Sequence, residues 1–198
     1  MDIDSFLRDP LSRRRFFRMS GVSMVGGSAV FLAACGDDEP KGSAAGGGAD
    51  DPSGAEADVE ILNSALDLEL MAVAAYKGGA ALLKGDVLEV GKTFLEQEQE
   101  HADALASAIT DMGGTPNKVK SSYDFPELRS QEDVLKFAVE LENTAVAAYI
   151  DALPKLSSGE LRGTAAAIVT NEAEHIAVLL GALDRPQVPD AFVTGMAA

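Results

Sequence analysis

The sequence predicts an all-α fold, an antiparallel four-helix bundle with one long crossover between helices two and three. Two observations support this fold class. From Asp58 onward the 198-residue chain is rich in Ala, Leu, Glu and Val at helical spacing and has few helix-breaking residues. Short joints separate the helices within each of two pairs, whereas residues 113–129 between the pairs are long enough to cross the length of a bundle.

Four helices are predicted in chain order, and strand patterns are nearly absent. The predicted ranges are 58–84, 86–112, 131–152 and 158–184. Gly85 marks the first short joint, and a joint that contains proline precedes the fourth helix. Ser130 is the predicted N-cap of the third helix because an acidic residue, Asp133, follows three positions later. Each short joint should make its flanking helices an antiparallel hairpin.

The first 35 residues predict an export signal rather than part of the fold. The run 12–18, SRRRFFR, places a twin arginine before two aromatic residues. The apolar stretch 19–34 follows, and its 16 residues are fewer than the about 20 that a bilayer-spanning helix needs. It ends in LAAC, which resembles a bacterial lipobox with Cys35 as the lipid-bearing first residue of the mature chain. The alternative is a disordered basic terminus with an incidental cysteine.

This leader also predicts where the protein resides. A twin-arginine lipoprotein signal peptide at 1–35 implies export and a lipid anchor at Cys35, either on the outer face of the bacterial cytoplasmic membrane or in the periplasm. Residues 36–57 are mostly Gly, Ala, Asp and Pro without apolar periodicity, so they predict a flexible acidic tether. The folded domain is expected at 58–184, followed by an irregular, proline-containing tail at 185–198.

Composition excludes several classes of function. The chain has 16 basic and 32 acidic residues, a formal net charge of −16. Nucleic-acid binding is therefore not expected, because it needs clustered Lys and Arg. A single cysteine cannot form an intrachain disulfide. Two histidines in the whole chain exclude zinc fingers and His-rich metal tracts, so any histidine-based site must use few ligands of this type.

The two predicted helix pairs are related by an internal repeat. LELMAVAAY at 68–76 matches LENTAVAAY at 141–149 at seven of nine positions, with an offset of 73. EQEH at 98–101 matches EAEH at 172–175 with an offset of 74. An internal duplication of this kind predicts a pseudo-twofold axis, with matching features facing each other across it.

The repeat contains a candidate metal site. The two histidines, His101 and His175, each lie three residues after a glutamate, Glu98 and Glu172 respectively. Positions i and i+3 share one face of a helix. Each glutamate–histidine pair can therefore bind the same metal cluster, although a single pair of this kind is more often a surface or capping interaction.

Two further glutamates, Glu69 and Glu142, lie within apolar stripes of the first and third helices and should point into the core. Four inward carboxylates without compensation would cost on the order of several kcal/mol each. Two divalent cations would cancel the four negative charges and leave the imidazoles neutral. Oxygen and imidazole ligands without thiolate favour iron or manganese over copper(I). The ligand types therefore predict two metal ions, either iron or manganese.

One glutamate from each of two helices, with Glu-x-x-His from the other two, resembles the ferritin-like superfamily of dimetal carboxylate proteins, in particular exported ferritin-like domain proteins. The resemblance covers about 58–184 and all six ligand positions. It implies that Glu98 and Glu172 bridge the two metals. The terminal ligands that it implies are Glu69, Glu142, His101 and His175.

Two tyrosines are candidate catalytic residues behind these ligands. Tyr76 and Tyr149 each lie two helical turns after the glutamate of their own repeat, Glu69 and Glu142. A tyrosine at this position recurs in the ferritin-like superfamily, often near the metals. The equally weighted alternative is that both are core aromatics whose hydroxyls reach a neighbouring polar group.

The resemblance implies a di-iron oxidoreductase that oxidises ferrous ion or reduces O2 or peroxide. The alternatives are a dimanganese, catalase-like site and an envelope protein that holds metal only for structure, or holds none. Assembly into oligomers is open, but a closed storage cage is disfavoured because the tail at 185–198 does not resemble the fifth short helix of cage ferritins. Cys35 alone cannot form a Cys-x-x-Cys electron carrier, so a peroxidase of this kind would need another protein or a small molecule as its reductant.

Overall fold

A computed structural model describes residues 52–195 of the chain, in four α-helices and their connections. In chain order the helices are α1 (Pro52–Gly79), α2 (Gly85–Asp111), α3 (Gln131–Ala152) and α4 (Gly159–Ala182). A short 3-10 helix, Ala80–Leu82, follows α1, and no strand occurs within residues 52–195. The predicted all-α, four-helix fold is therefore confirmed. The predicted signal peptide, Cys35 and most of the predicted tether lie outside the described residues.

The helices pair as the short joints predict. α1 packs along α2 and α3 packs along α4, so each pair forms a hairpin. α1 also contacts α3, and α2 contacts α4, which closes the bundle. Residues 112–130 connect α2 to α3 without a helix and form the long crossover. None of the helices in the described part of the chain combines the length and apolar character that crossing a membrane requires.

Local signals in the sequence explain where three helices begin. Ser130 accepts a hydrogen bond from the backbone N–H of Asp133 at 3.1 Å, the N-cap that the sequence predicts for α3. Ser158 accepts one from the N–H of Leu161 at 3.0 Å and caps α4. α2 begins at Gly85, whose φ of 55° lies in the left-handed region that favours glycine.

The bounds of α1 differ from the prediction. The helix begins at Pro52 rather than at 58, so residues 52–57 of the predicted tether are helical. Asp58 is buried, and its carboxylate accepts hydrogen bonds from the backbone N–H of Ser157 at 2.9 Å and from its hydroxyl at 2.5 Å. This tertiary contact holds the beginning of α1 on the bundle. At the other end, consecutive glycines disfavour the helix, so α1 ends at Gly79 rather than at 84.

Two apolar clusters fill the bundle on either side of a layer of acidic residues. The first includes Leu62, Leu66, Leu105 and Ile109. The second includes Tyr76, Phe94, Leu135 and Leu179. On α1, Glu69 lies between Leu66 of the first cluster and Tyr76 of the second, and Glu98 on α2 likewise lies between members of both clusters. The layer of acidic residues is therefore enclosed by apolar side chains along the bundle axis.

Candidate metal centre

The four helices bring all six predicted ligands together near the middle of the bundle. α1 supplies Glu69, and α3 supplies Glu142. α2 and α4 each supply a Glu-x-x-His pair, Glu98 with His101 and Glu172 with His175. Five of the six residues are at most 1% exposed, whereas the side chain of His101 is 13% exposed. The cluster is thus buried except at one edge.

The ligand atoms form two overlapping clusters. Within each cluster, one oxygen or nitrogen atom from every residue lies within 4.8 Å of the others. We define them by their unshared members: half-site 1 by Glu69 and His101, half-site 2 by Glu142 and His175. The remaining carboxylates, Glu98 and Glu172, belong to both clusters. This sharing is what a bridging position between two metals requires.

In half-site 1, the imidazole of His101 faces three carboxylates. Its Nδ1 lies 3.0 Å from Oε1 of Glu172, 3.4 Å from Oε2 of Glu69 and 3.8 Å from Oε2 of Glu98. The ring centroid of His101 lies 6.4 Å from that of His175. The two rings are nearly parallel, with an interplanar angle of 27°.

In half-site 2, His175 has a matching arrangement. Its Nδ1 lies 3.1 Å from Oε1 of Glu98, 3.2 Å from Oε2 of Glu172 and 3.3 Å from Oε1 of Glu142. Both histidines thus direct the same ring nitrogen toward a trio of carboxylate oxygens. Glu172 contributes a different oxygen to each half-site, Oε1 to the first and Oε2 to the second.

Six buried side-chain atoms have no hydrogen-bond partner within the described residues, and all six belong to this cluster. They are Oε2 of Glu69, Oε1 of Glu98, Nδ1 of His101, both carboxylate oxygens of Glu172 and Nδ1 of His175. Leaving a buried polar atom unpaired costs about 1–3 kcal/mol, and more for a charged group. Coordination to metal would satisfy these atoms, and carboxylate oxygen with imidazole nitrogen suits iron or manganese. The residues therefore fit a dinuclear metal site.

Two of the four carboxyl groups have a raised pKa and two have a lowered one. Burial raises the pKa of Glu69 to about 8 and that of Glu142 well above its usual value. Burial also opposes ionisation of the shared carboxylates, but the two adjacent imidazoles outweigh it. They lower the pKa of Glu98 and bring that of Glu172 to about 2. At neutral pH Glu69 thus holds its proton, whereas Glu98 and Glu172 are ionised.

The imidazoles balance this charge. Burial lowers the pKa of each histidine, but the surrounding carboxylates outweigh it and raise the pKa of His101 to about 12 and that of His175 to about 11. Without metal, two imidazolium ions therefore neutralise the two shared carboxylates. Divalent cations would displace the protons held by Glu69 and the two imidazoles, so metal binding at this site is coupled to proton release.

The sequence profile of the ferritin-like domain family matches residues 57–185. The chain belongs to this family. The matched range contains all four ligand-bearing helices except the first turns of α1. A comparison with curated proteins finds no match.

Solved structures similar to this ferritin-like domain share its fold. A conserved hypothetical protein from Mycobacterium tuberculosis is 22% identical with a TM-score of 0.62, over 64% of this chain and 97% of that one. A ferritin-like diiron-carboxylate protein from Bacillus anthracis is 24% identical with a TM-score of 0.58, over 66% and 97%. A dodecameric thioferritin, the bacterioferritin-related protein of Bacteroides fragilis, is 25% identical with a TM-score of 0.59, over 66% and 86%.

Each of the two tyrosines that the sequence places near the site donates a hydrogen bond to the unshared glutamate of the opposite repeat. Tyr149 on α3 donates its hydroxyl hydrogen to Oε1 of Glu69 at 2.5 Å, and Tyr76 on α1 donates to Oε1 of Glu142. Burial, reinforced by these carboxylates, raises the pKa of both tyrosines well above the usual value, so both hydroxyls stay protonated. The sequence indicated their proximity to the site but not this exchange of partners.

Two residues of α2 that the sequence did not single out support His175. Oε1 of Gln97 lies 2.8 Å from Nε2 of His175, and the ring of Phe94 stacks on the imidazole with centroids 3.9 Å apart and an interplanar angle of 25°. The outer nitrogen of a metal-binding histidine usually makes such a hydrogen bond, so a partner for His175 could have been expected from the sequence. The sequence does not identify the partner, because Gln97 lies 78 positions away on another helix.

Proposed function

We propose that this ferritin-like domain binds two iron ions and oxidises ferrous ion or reduces O2 or peroxide. The observation that supports the proposal is the pair of carboxylates, Glu98 and Glu172, shared by two histidine-containing half-sites. A role that uses no metal would not require six buried ligand atoms without a hydrogen-bond partner. The similar structure from Bacillus anthracis, described as a ferritin-like diiron-carboxylate protein, is consistent with this proposal.

In this proposal Glu98 and Glu172, which belong to both clusters, would be ligands of both ions. The terminal ligands are Glu69 and His101 at half-site 1, and Glu142 and His175 at half-site 2. The chemistry that bound iron supplies is a one-electron oxidation at each ion, so that two electrons and two protons reduce O2 to hydrogen peroxide, or hydrogen peroxide to two water molecules. The electrons come from ferrous ion, and repeated turnover would require an external reductant.

The tyrosines position the terminal carboxylates. The hydroxyl of Tyr149 donates a hydrogen bond to Oε1 of Glu69, and the other oxygen, Oε2, is directed toward His101. A hydroxyl that stays protonated holds this orientation across the neutral pH range. The two apolar clusters at either end of the acidic layer restrict water, which strengthens the interactions between ligands and metal.

Metal content is the first test. Elemental mass spectrometry of the full chain, purified without added metal, should find about two irons per chain if the six ligands act together. Replacing Glu98 and His101 together by Ala should abolish stoichiometric metal. The matched control is Glu100→Ala, which removes an exposed glutamate from the same helix and should leave the metal content unchanged. Retention of two metals by the double variant would overturn the proposal.

Oxygen and peroxide consumption by the ferrous-loaded chain test the chemistry. Two manganese ions in place of iron would favour peroxide dismutation, in which two peroxides give one O2 and two waters. A specific observation favours a purely structural metal as the second candidate, since five of the six ligands are almost fully buried. A loaded chain that consumes neither oxidant would support that candidate. A folded chain that takes up no metal from ferrous solution would overturn both.

We further propose that the chain is exported and lipid-anchored. The support is the SRRRFFR motif followed by an apolar stretch that ends in LAAC. Cys35→Ser should abolish incorporation of labelled fatty acid and release the protein from the membrane fraction. Replacing Arg13 and Arg14 by Lys should retain the protein in the cytoplasm. Fatty-acid labelling of the Cys35→Ser variant would contradict the anchor.

For assembly we propose oligomers short of a closed storage cage. One similar structure is described as a dodecamer. Residues 185–195 of this chain, however, contain no helix that could serve as a fifth element of a cage subunit. A native mass about twelve times that of one mature chain would contradict this proposal and can be measured by light scattering.

A further inference from the structure

The two half-sites carry the same ligand types in different surroundings. The side chain of His175 is 1% exposed, lies against the ring of Phe94 and has Gln97 at its outer nitrogen. The side chain of His101 is 13% exposed, so one edge of its ring meets solvent. The difference does not come from the types of ligand, which are the same in both half-sites.

The internal repeat shows where this difference arises. An offset of 74 relates Glu98 and His101 to their counterparts on α4, and it places Ile168 at the position of Phe94 and Asn171 at that of Gln97. Isoleucine has no aromatic face with which to stack on an imidazole. The amide of asparagine is one methylene group shorter than that of glutamine. The two repeats therefore share their ligands but not the side chains that support the histidines.

The contact between Gln97 and His175 restricts which nitrogen can bind metal. An amide oxygen only accepts hydrogen bonds, so Nε2 of His175 must carry a hydrogen in this contact. Nδ1, which faces the three carboxylates, is then the nitrogen left for a metal. The stacked ring of Phe94 limits rotation of the imidazole. A ligand that is already oriented loses less conformational freedom when it binds.

We propose that Gln97 is a positioning residue that makes half-site 2 the tighter of two unequal metal sites. Half-site 2 then fills first and releases its metal last, whereas half-site 1 exchanges metal with solution past the exposed edge of His101. This inference rests on the proposed dinuclear centre and adds the order of loading and the residue that sets it.

Calorimetric titration of the metal-free full chain with cobalt(II) tests the inference. The wild type should show two binding steps of different affinity. Gln97→Leu should raise the dissociation constant of the tighter step about 10–100-fold and leave the weaker step unchanged. Gln97→Glu keeps an acceptor oxygen and should restore the tighter step. The matched control is Gln99→Leu, because the amide of Gln99 on the same helix donates a hydrogen bond to the exposed Asp103 rather than to a ligand, and both steps should persist.

The outcomes separate this inference from the proposed function. A wild-type chain that binds no cobalt would overturn the dinuclear centre itself. If Gln97→Leu binds two ions and both binding steps are unchanged, only the role of Gln97 would be overturned. The same conclusion would follow if the two steps were weakened equally. Nitrogen-15 NMR of the zinc-loaded wild type gives a readout without any variant. The Nε2–H of His175 should exchange slowly with water and that of His101 rapidly, and equal rates would contradict the inference.

Discussion

Half-site 1 and half-site 2 differ in their surroundings and agree in their ligands. Each combines one terminal glutamate and one histidine with the shared carboxylates, and each terminal glutamate accepts a hydrogen bond from a tyrosine of the opposite repeat. Around His175, an aromatic ring and an amide complete the enclosure, whereas His101 meets solvent. The two half-sites therefore differ in the side chains that contact the histidines and not in the ligands.

This comparison shows which positions in a duplicated metal site are free to change. The ligands of each half-site must converge on one metal, so the loss of any Glu or His removes a ligand from that metal. Side chains behind the ligands alter orientation and access, and a change there adjusts affinity without removing the site. A symmetric set of ligands can therefore hold two metals of unequal affinity, which gives one position for retention and one for exchange.

The largest effect is expected from removing a shared carboxylate. Glu172→Ala should eliminate both metals, because its two oxygens face the two histidines. Glu69→Ala should eliminate only the metal of half-site 1. Elemental mass spectrometry of both variants distinguishes these outcomes. One full equivalent of metal retained by Glu172→Ala would show that this glutamate does not serve both half-sites.

Metal affinity should rise steeply with pH. At half-site 1, the pKa of Glu69 is raised to about 8 and that of His101 to about 12, so at pH 7 both groups hold protons that a metal must displace. Raising the pH removes this competition. The dissociation constant should therefore fall by up to about 100-fold per pH unit below pH 8, for two displaced protons, and less steeply above it. Cobalt titrations at two pH values in buffers of different ionisation enthalpy count the protons, and a constant that does not change with pH would contradict the prediction.

Phe94→Ala should both destabilise the fold and weaken the enclosure of half-site 2. Loss of this buried ring should lower the free energy of unfolding of the metal-free protein by about 3–5 kcal/mol. Leu135→Ala is the control from the same apolar cluster and should cost about 2–5 kcal/mol. Denaturant unfolding measures both losses. Only Phe94→Ala should accelerate release to a chelator of the cobalt ion that leaves last, which is the ion of half-site 2. Equal release rates in the two variants would show that the stacked ring does not hold His175.

The predictable part of the fold is the part set by local signals. α3 begins and ends as predicted, because Ser130 and Asp133 form a cap within four residues of each other. The predicted beginning of α1 was wrong by six residues, because the composition of residues 52–57 indicated a tether whereas the segment is helical; the adjoining Asp58 bonds to Ser157, a partner 99 positions away. Periodicity indicates which face of a helix is buried but carries no information about such distant contacts.

The same distinction applies to the site. The i, i+3 spacing and the repeat identify Glu98, His101 and their counterparts, since both signals are local or follow from symmetry. Gln97 was missed because it supports a histidine on a different helix, and the matching position in the other repeat holds a different residue. Positions at which the two repeats hold different residues cannot be found from the symmetry of the sequence. They are also the features that distinguish the two half-sites.

The smallest expected effect tests the crossed tyrosines. Tyr149→Phe removes a hydrogen bond to Glu69 of half-site 1, and Tyr76→Phe removes one to Glu142 of half-site 2. Each loss should lower the free energy of unfolding by about 0.5–1.5 kcal/mol, measured by thermal or denaturant unfolding. In the cobalt titration, Tyr149→Phe should weaken the weaker step and Tyr76→Phe the tighter one. The opposite assignment would mean that each tyrosine acts on the glutamate of its own helix, which lies two turns away, and the exchange of partners between repeats would then be wrong.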